Sequence, residues 1–223
     1  MSEPSAPRPQ RLSLRFLRAL ANVSFAKQLA MLTLDGYLAE TGWTRSVRER
    51  RVVDAKGEPL PWVTYPFIDF LVPRLRREWR VFEYGAGSST LFYAHRVASV
   101  TTVEHDEAFA SDLQPRLPPN VRLWLRPLGS PGYIDAVAGL GFAPEMVIVD
   151  GRNRVRCANA AVRWLAPGGV LVFDDMERPQ YAPADALLRK AGFRRLDFWG
   201  ISPGYLARRC TSLFYRPDNV LGL

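Results

Sequence analysis

The chain has 223 residues, 48% of them apolar and 23% charged, which is the make-up of one folded α/β domain with an extension and excludes fibrous, collagen-like and wholly disordered classes. Its formal charge of +8 attracts polyanions, but 13 basic against 8 acidic side chains in residues 1–78 and 17 against 14 in residues 79–223 form no block of one sign. Nucleic-acid binding is therefore open but not favoured.

Residues 1–10, MSEPSAPRPQ, hold three prolines and little to bury, so they read as a disordered tail. No continuous apolar stretch with a cleavage signature follows, so a secretory signal is not expected. Residues 11–78 read as a helical and irregular extension covering the core. In it, apolar residues recur at three- and four-residue spacings from Leu12 to Leu38, which predicts one or two amphipathic helices. Packing on the chain's own domain is the favoured reading of that stripe over a membrane surface. Residues 41–66 look irregular, with turn chemistry at Lys56-Gly57 and Pro59 to Pro61, and Phe67 to Leu75 resumes a short helical pattern.

From residue 79 the pattern is regular and defines the main domain, 79–223. Strands are predicted at 80–84, 99–104, 121–125, 146–150 and 170–174, and helices near 88–97, 106–114, 132–139, 155–165 and 182–191. The alternation implies right-handed βαβ units and a doubly wound, mostly parallel sheet with helices on both faces. Runs 195–199 and 211–215 follow without an intervening helix and predict an antiparallel pair at one sheet edge. Cys157 and Cys210 lack metal-type spacing and are too few for a disulfide framework, so a cytoplasmic location is expected. Uncharged runs such as Trp164 to Phe173, 10 residues, fall well short of the roughly 20 needed to cross a bilayer, so no transmembrane segment is expected.

In such a sheet ligands bind at the carboxyl ends of the strands, near the point where strand order reverses. The first strand ends in Glu83-Tyr84-Gly85-Ala86-Gly87, where two missing side chains permit a tight turn and close approach of a ligand to the backbone. Ser88 or Ser89 is positioned to cap the next helix. The second strand ends in Glu104, 21 residues after Glu83, the place of an acid that accepts hydrogen bonds from a ribose diol. The loop continues Gly87-Ser88-Ser89-Thr90 without the third glycine of the dinucleotide fingerprint, which disfavours a dinucleotide.

This loop resembles motif I of the class I S-adenosylmethionine-dependent methyltransferases, whose first strand runs into an acid-x-Gly-x-Gly turn. The resemblance covers roughly residues 60–220 and is nearest to an uncharacterised group of bacterial methyltransferase-like proteins. It rests on Pro61–Leu71, Phe82–Thr90, Val103–Asp106, Val147–Arg154, Pro167–Val170, Asp197–Gly200 and Cys210–Arg216. It implies a Rossmann-like fold with a seven-stranded sheet and a reversed edge strand, and S-adenosylmethionine as cofactor, held by Glu83, Tyr84, Gly85, Ala86, Gly87, Ser88, Ser89, Glu104, His105 and Asp150.

The fourth predicted strand ends in Asp150 and the fifth in Asp174-Asp175. Three neighbouring carboxylates suit Mg2+ or another divalent cation, an arrangement that resembles catechol O-methyltransferase, with Asp175 standing where that enzyme has an amide. The alternative is that Asp150 touches cofactor or substrate while Asp174 and Asp175 cap a segment or pair with arginines. Asp150 and Asp175 are the candidate catalytic residues, and Arg152 and Arg154 the candidates to clamp a substrate carboxylate or phosphate. His105 either lines an adenine pocket or is a solvated strand-end residue, and His95 reads as a surface or packing residue. Trp62 and Tyr65 either cover the cofactor or fill the core, the core being slightly favoured because aromatic rings bury large areas. The resulting expectation is a methyltransferase acting on an oxygen or nitrogen of a small molecule. A non-enzymatic S-adenosylmethionine-binding or interaction module and an RNA methyltransferase are the alternatives.

Overall fold

The computed structural model describes residues 23–223; the expected tail and the first part of the amphipathic stripe lie outside that range. Seven strands, β1 (Arg80–Tyr84), β2 (Ser99–Glu104), β3 (Val121–Leu125), β4 (Met146–Val149), β5 (Val170–Phe173), β6 (Arg194–Ser202) and β7 (Tyr205–Tyr215), form one sheet in the order β3-β2-β1-β4-β5-β7-β6. The first five are parallel, whereas β7 runs antiparallel to both β5 and β6. The predicted edge pair is thus one long hairpin, and it inserts with β7, not β6, against β5. Strand order reverses between β1 and β4.

Both faces of the central strands are covered, which is why β4 (MVIV) and β5 (VLVF) are buried at every position instead of alternating. One face carries Phe82, Tyr84, Val147, Leu171 and Phe214 beneath α8 (Arg154–Ala161) and α9 (Ala182–Lys190). The other carries Val81, Ile148, Val172 and Leu213 beneath α4 (Tyr65–Leu71) and α5 (Ser88–Ala94). The segment around α4 is part of the core: Val63, Tyr65, Phe67, Ile68 and Leu71 are buried in that second cluster, and the rings of Phe67 and Phe70 lie 5.3 and 4.8 Å from that of Phe198 on β6. Cys157 and Cys210 are both buried and unpaired, and burial pushes their thiols up to about 12 and about 11.

The segment expected to be irregular contains α3 (Trp43–Glu49). Its Ser46 hydroxyl donates to the carbonyl of Val53 at 2.7 Å and accepts from that residue's amide at 3.1 Å, and its Trp43 indole donates to Tyr205 O at 3.1 Å. Those bonds moor residues 43–53 beside the β6–β7 hairpin. The stripe from Val23 onward breaks at Asp35-Gly36 into α1 (Val23–Leu34) and α2 (Tyr37–Glu40). No residue of α1 is buried, so over the described residues it adds nothing to the two core clusters. Among the described residues no helix is long and apolar enough to cross a membrane. Two further short helices matter to the site, α6 (Glu107–Leu113) after β2 and α7 (Pro131–Ile134) before β4.

At the switch point the ladder continues one step beyond the strands: Gly85 N donates to Val103 O at 2.9 Å and Asp150 N to Tyr84 O at 3.2 Å. This brings the turn after β1 against the turn after β4. A Cβ on Gly151 would overlap the Tyr133 hydroxyl and stand 3.0 Å from Gly85 N, and one on Gly85 would stand 2.9 Å from Gly151 Cα. Gly151→Ala is therefore expected to destabilise the fold by about 1–3 kcal/mol through overpacking, read as a lowered midpoint in denaturant; an unchanged midpoint would show that the two turns yield freely.

Candidate functional site

The glycine turn is built from behind. Glu83 points away from solvent and is fully buried; it accepts a hydrogen bond from Thr90 Oγ1 at 2.5 Å, and Thr90 Oγ1 accepts from Gly87 N at 3.0 Å. This relay, not Ser88 or Ser89, closes the start of α5, for Gly87 is the residue before the helix and no side chain caps it. Glu83 thus braces the loop and does not line the cleft, and Tyr84 is a core residue whose hydroxyl donates to Ile134 O at 2.7 Å. Burial, with Glu104 adding to it, pushes the Glu83 carboxyl up to about 7 against the pull of the Ser89 and Thr90 hydroxyls, and its Oε1 has no partner. The two glycines differ in purpose. Gly85 needs its positive φ of 96° and its close contact, whereas a Cβ on Gly87 would meet nothing within 4 Å. Gly87 borders the cleft, so that side chain would stand in ligand space.

Glu104, almost fully buried at the end of β2, is oriented by three amides. Its Oε2 accepts from Ala86 N at 3.1 Å, and its Oε1 from His105 N at 2.7 Å and Asp106 N at 2.9 Å. A carboxylate offers about four lone-pair sites, so one is left for a ligand hydroxyl. His105 Nδ1 sits 2.6 Å from Glu104 Oε1 without hydrogen-bond alignment, and its ring is edge-on to Tyr133 at 6.2 Å. Asp106 caps α6 by accepting from Phe109 N at 3.0 Å and sets the exposed Phe109 ring on the wall of the same cleft.

Across the switch point, Arg154 organises the ends of β4 and β5. Nε donates to Gly151 O at 3.0 Å, Nη1 to Asp174 O at 2.7 Å and Nη2 to Asp150 O at 3.0 Å, and the guanidinium forms ion pairs with Asp150 Oδ1 at 2.9 Å and Asp175 Oδ2 at 3.1 Å. Three backbone bonds and two ion pairs commit Arg154 to joining the strand ends, so the expectation that it clamps a substrate is corrected. Arg152 is exposed at the cleft and has no ion-pair partner among the described residues. Asp175 adopts the left-handed conformation, φ 62°, which Asp tolerates better than most residues; besides Arg154 it holds Arg178 Nη2 at 2.8 Å and Arg209 Nη1. Asp174 accepts from Thr211 Oγ1 at 2.6 Å, and burial beside Asp150 and Asp175 raises its carboxyl well above the ordinary range. The Asp150 carboxyl is raised too, chiefly by burial, with Asp175 and Glu83 adding to the rise and Arg154 opposing it.

A divalent cation does not fit here. The Arg154 guanidinium stands 2.9 Å from Asp150 Oδ1 and 3.1 Å from Asp175 Oδ2, where a cation would have to sit, Asp175 also pairs with Arg178 and Arg209, and Asp174 is bonded to the Thr211 hydroxyl; among the described residues no group of three or more His, Cys, Asp or Glu is arranged to hold a metal. The magnesium expectation is accordingly overturned: adjacency at strand ends supplied the acids, and Arg154 occupies the space between them.

These groups line one cleft of about 670 Å³, within the usual range for small-molecule sites. It includes the predicted Gly85–Ser89 turn, Glu104, His105, Asp150 and Arg152; it also includes Trp62, for which covering the cofactor was the less favoured reading, and Arg50, Arg51, Tyr205 and Arg209, which sequence reasoning had not placed there. Trp62 is not core: its ring is 48% exposed, packs 5.4 Å from Tyr205 and donates to Pro203 O at 3.0 Å. Tyr65, by contrast, is buried. His95 lies on the surface at the end of α5.

The sheet order with its reversal at β1/β4 and its antiparallel β7 is shared with solved structures. Precorrin-8w decarboxylase from Methanobacterium thermoautotrophicum superposes with a TM-score of 0.52 at 20% identity, over 75% of this chain and 97% of that one. A methyltransferase-like protein from Silicibacter pomeroyi gives 0.51 at 24% identity over 71% and 89%, and precorrin-6y C5,15-methyltransferase from Geobacter metallireducens 0.52 at 14% over 68% and 87%. The fold is the Rossmann-like one of these structures. No protein-family profile and no curated protein sequence matches the chain. In such a fold the cleft above the strand ends is the place where a ligand meets β1, β2 and β4 together.

The buried Glu83 makes stability depend on pH in a definite direction. Its folded-state pKa, about 7, lies above the ordinary 4.5, so the stabilising contribution is complete below about 4.5 and is lost as pH rises through about 7, an effect of about 3 kcal/mol. Glu83→Gln should remove that slope: urea midpoints of the two proteins should diverge between pH 5 and 8 in favour of the variant, and parallel curves would refute the assignment.

Proposed function

We propose that the chain is an S-adenosylmethionine-dependent methyltransferase whose acceptor is an oxygen or nitrogen of a small molecule. The observation that carries this reading is the switch-point cleft itself, where a glycine turn open at Gly87, an amide-oriented Glu104 with one lone-pair site left, and Asp150 are held within one wall by the Gly85–Gly151 contact.

S-adenosylmethionine, when bound, supplies an electrophilic methyl group on a sulfonium centre. In this reading the backbone of Gly85–Ser89 takes the amino-acid end of the cofactor, Glu104 accepts from a ribose hydroxyl, and His105 and Phe109 flank the adenine. Glu83 and Thr90 act behind the loop, as positioning residues. Asp150 faces the acceptor and takes its proton; a carboxyl raised by burial is closer in basicity to neutral pH than an ordinary aspartate, which favours that role. Trp62 and Tyr205 shield the acceptor end from water. Orientation of the two reactants contributes most of the acceleration, for which effective-molarity measurements give roughly 7–11 kcal/mol.

Calorimetry with S-adenosylhomocysteine tests the cofactor assignment: the wild-type protein should bind it, and Gly87→Ala should bind it at least about tenfold more weakly, roughly 1.4 kcal/mol, with an unchanged unfolding midpoint. A folded wild-type protein that ignores this ligand would sink the reading. Radiolabelled methyl transfer into a metabolite extract tests the reaction. Asp150→Asn should lower turnover by about 10²–10⁴-fold while S-adenosylhomocysteine affinity changes little, and wild-type turnover should rise with pH as Asp150 ionises; full activity of the variant would remove Asp150 from the chemistry.

A further inference from the structure

The acceptor half of the cleft is short of negative charge. Away from the cofactor turns, the wall carries Arg50, Arg51, Arg152, Arg154, Arg178 and Arg209, six guanidinium groups, against the three carboxyls of Asp150, Asp174 and Asp175. Asp174 is spent on the Thr211 hydroxyl. Asp175 alone serves three of the arginines, Arg154, Arg178 and Arg209. Arg51 has only a loose contact with Glu49 at 3.8 Å, and Arg50 and Arg152 have no acid partner among the described residues. Arg154 is committed to three backbone carbonyls and to ion pairs with Asp150 and Asp175. Arg178 and Arg209 each have one oxygen partner in Asp175, so most of their N–H groups remain available, and Arg209 is further held over the Tyr205 ring at 4.8 Å.

Like charges gathered in a concave wall repel one another by about 1 kcal/mol per pair at contact distance in water and by about 4 kcal/mol where the surroundings are half-protein. Nothing in the hydrophobic core requires that cost, since Arg50, Arg51 and Arg152 are exposed and belong to neither core cluster. A planar fork of donors answers one kind of ligand group, a carboxylate or phosphate that accepts two parallel hydrogen bonds. The arginines come from four separate places in the chain, the end of α3, the turn after β4, the turn after β5, and β7, and converge only in the folded protein beside Asp150.

Building on the methyltransferase reading, we infer that the acceptor is a small anion, a carboxylate or phosphate ester, seated by Arg50, Arg152, Arg178 and Arg209 so that its nucleophilic atom lies at Asp150. The cleft volume of about 670 Å³ suits a cofactor and a small acceptor together, which is why a small molecule is chosen over a polynucleotide.

Two measurements test this. First, a metabolite extract is passed through an ultrafiltration membrane and then a strong anion exchanger, and each fraction is supplied with radiolabelled S-adenosylmethionine and the enzyme. Acceptor activity should pass the membrane and be retained by the exchanger; its loss on phosphatase treatment would identify the phosphate ester and its survival the carboxylate. Activity in the unretained fraction, or activity held by the membrane and destroyed by ribonuclease, would overturn the inference. Second, binding of inorganic phosphate and citrate is followed by calorimetry with and without S-adenosylhomocysteine. Arg50→Gln and Arg152→Gln, both at exposed positions, should each weaken anion binding by about tenfold and leave S-adenosylhomocysteine affinity unchanged; anion binding indifferent to both substitutions would also count against it. Failure to bind S-adenosylhomocysteine would fell the cofactor reading instead, while the anion titration without it still reports on the arginine wall.

Discussion

The arrangement of the site depends on the buried guanidinium of Arg154. One rigid plane donates to three carbonyls and pairs with two carboxylates from the turns after β4 and β5. Because the fork is planar and its hydrogen bonds are charge-assisted, it sets distances between those turns more narrowly than apolar packing would. Removing one partner of such a buried set leaves uncompensated charge, which typically destabilises by about 3–5 kcal/mol. Asp150 and Asp175 are therefore held in place, facing the cleft at a fixed separation from the glycine turn.

The two halves of the cleft are organised by different means. On the cofactor side backbone does the work: a carboxylate at the end of β2 collects three amides, a hydroxyl relay links Gly87 to Glu83, and the missing side chain of Gly87 leaves room for a ligand. On the opposite side the groups are cationic side chains carried by the end of α3, the turns after β4 and β5, and β7.

The correction of the metal site shows how adjacency differs from coordination. Three acids at neighbouring strand ends satisfied the count that a hard cation needs, yet a basic residue four positions after Asp150 turned back over all three. Similarly, Trp62 was weighed as core because of its size, and it stands exposed on the cleft rim because its indole donates to Pro203 O and its ring packs tilted against Tyr205. In each case a long-range partner decided what local chemistry left open.

The sequence alone determined the strands, the order in which they alternate with helices, the antiparallel nature of the final pair, and the glycine turn with its acid 21 residues on, because each of these is written in spacings of a few residues and in backbone preferences that act locally. Tertiary structure decided which acids would meet arginines, that Glu83 faces inward while Glu104 faces the cleft, that residues 60–71 join the core, and that Arg50, Arg178 and Arg209 gather beside Asp150. Those outcomes follow from β7 inserting next to β5, 39 to 43 residues away in sequence, and from the mooring of Trp43 against the hairpin, 162 residues away, long-range contacts for which no local pattern exists.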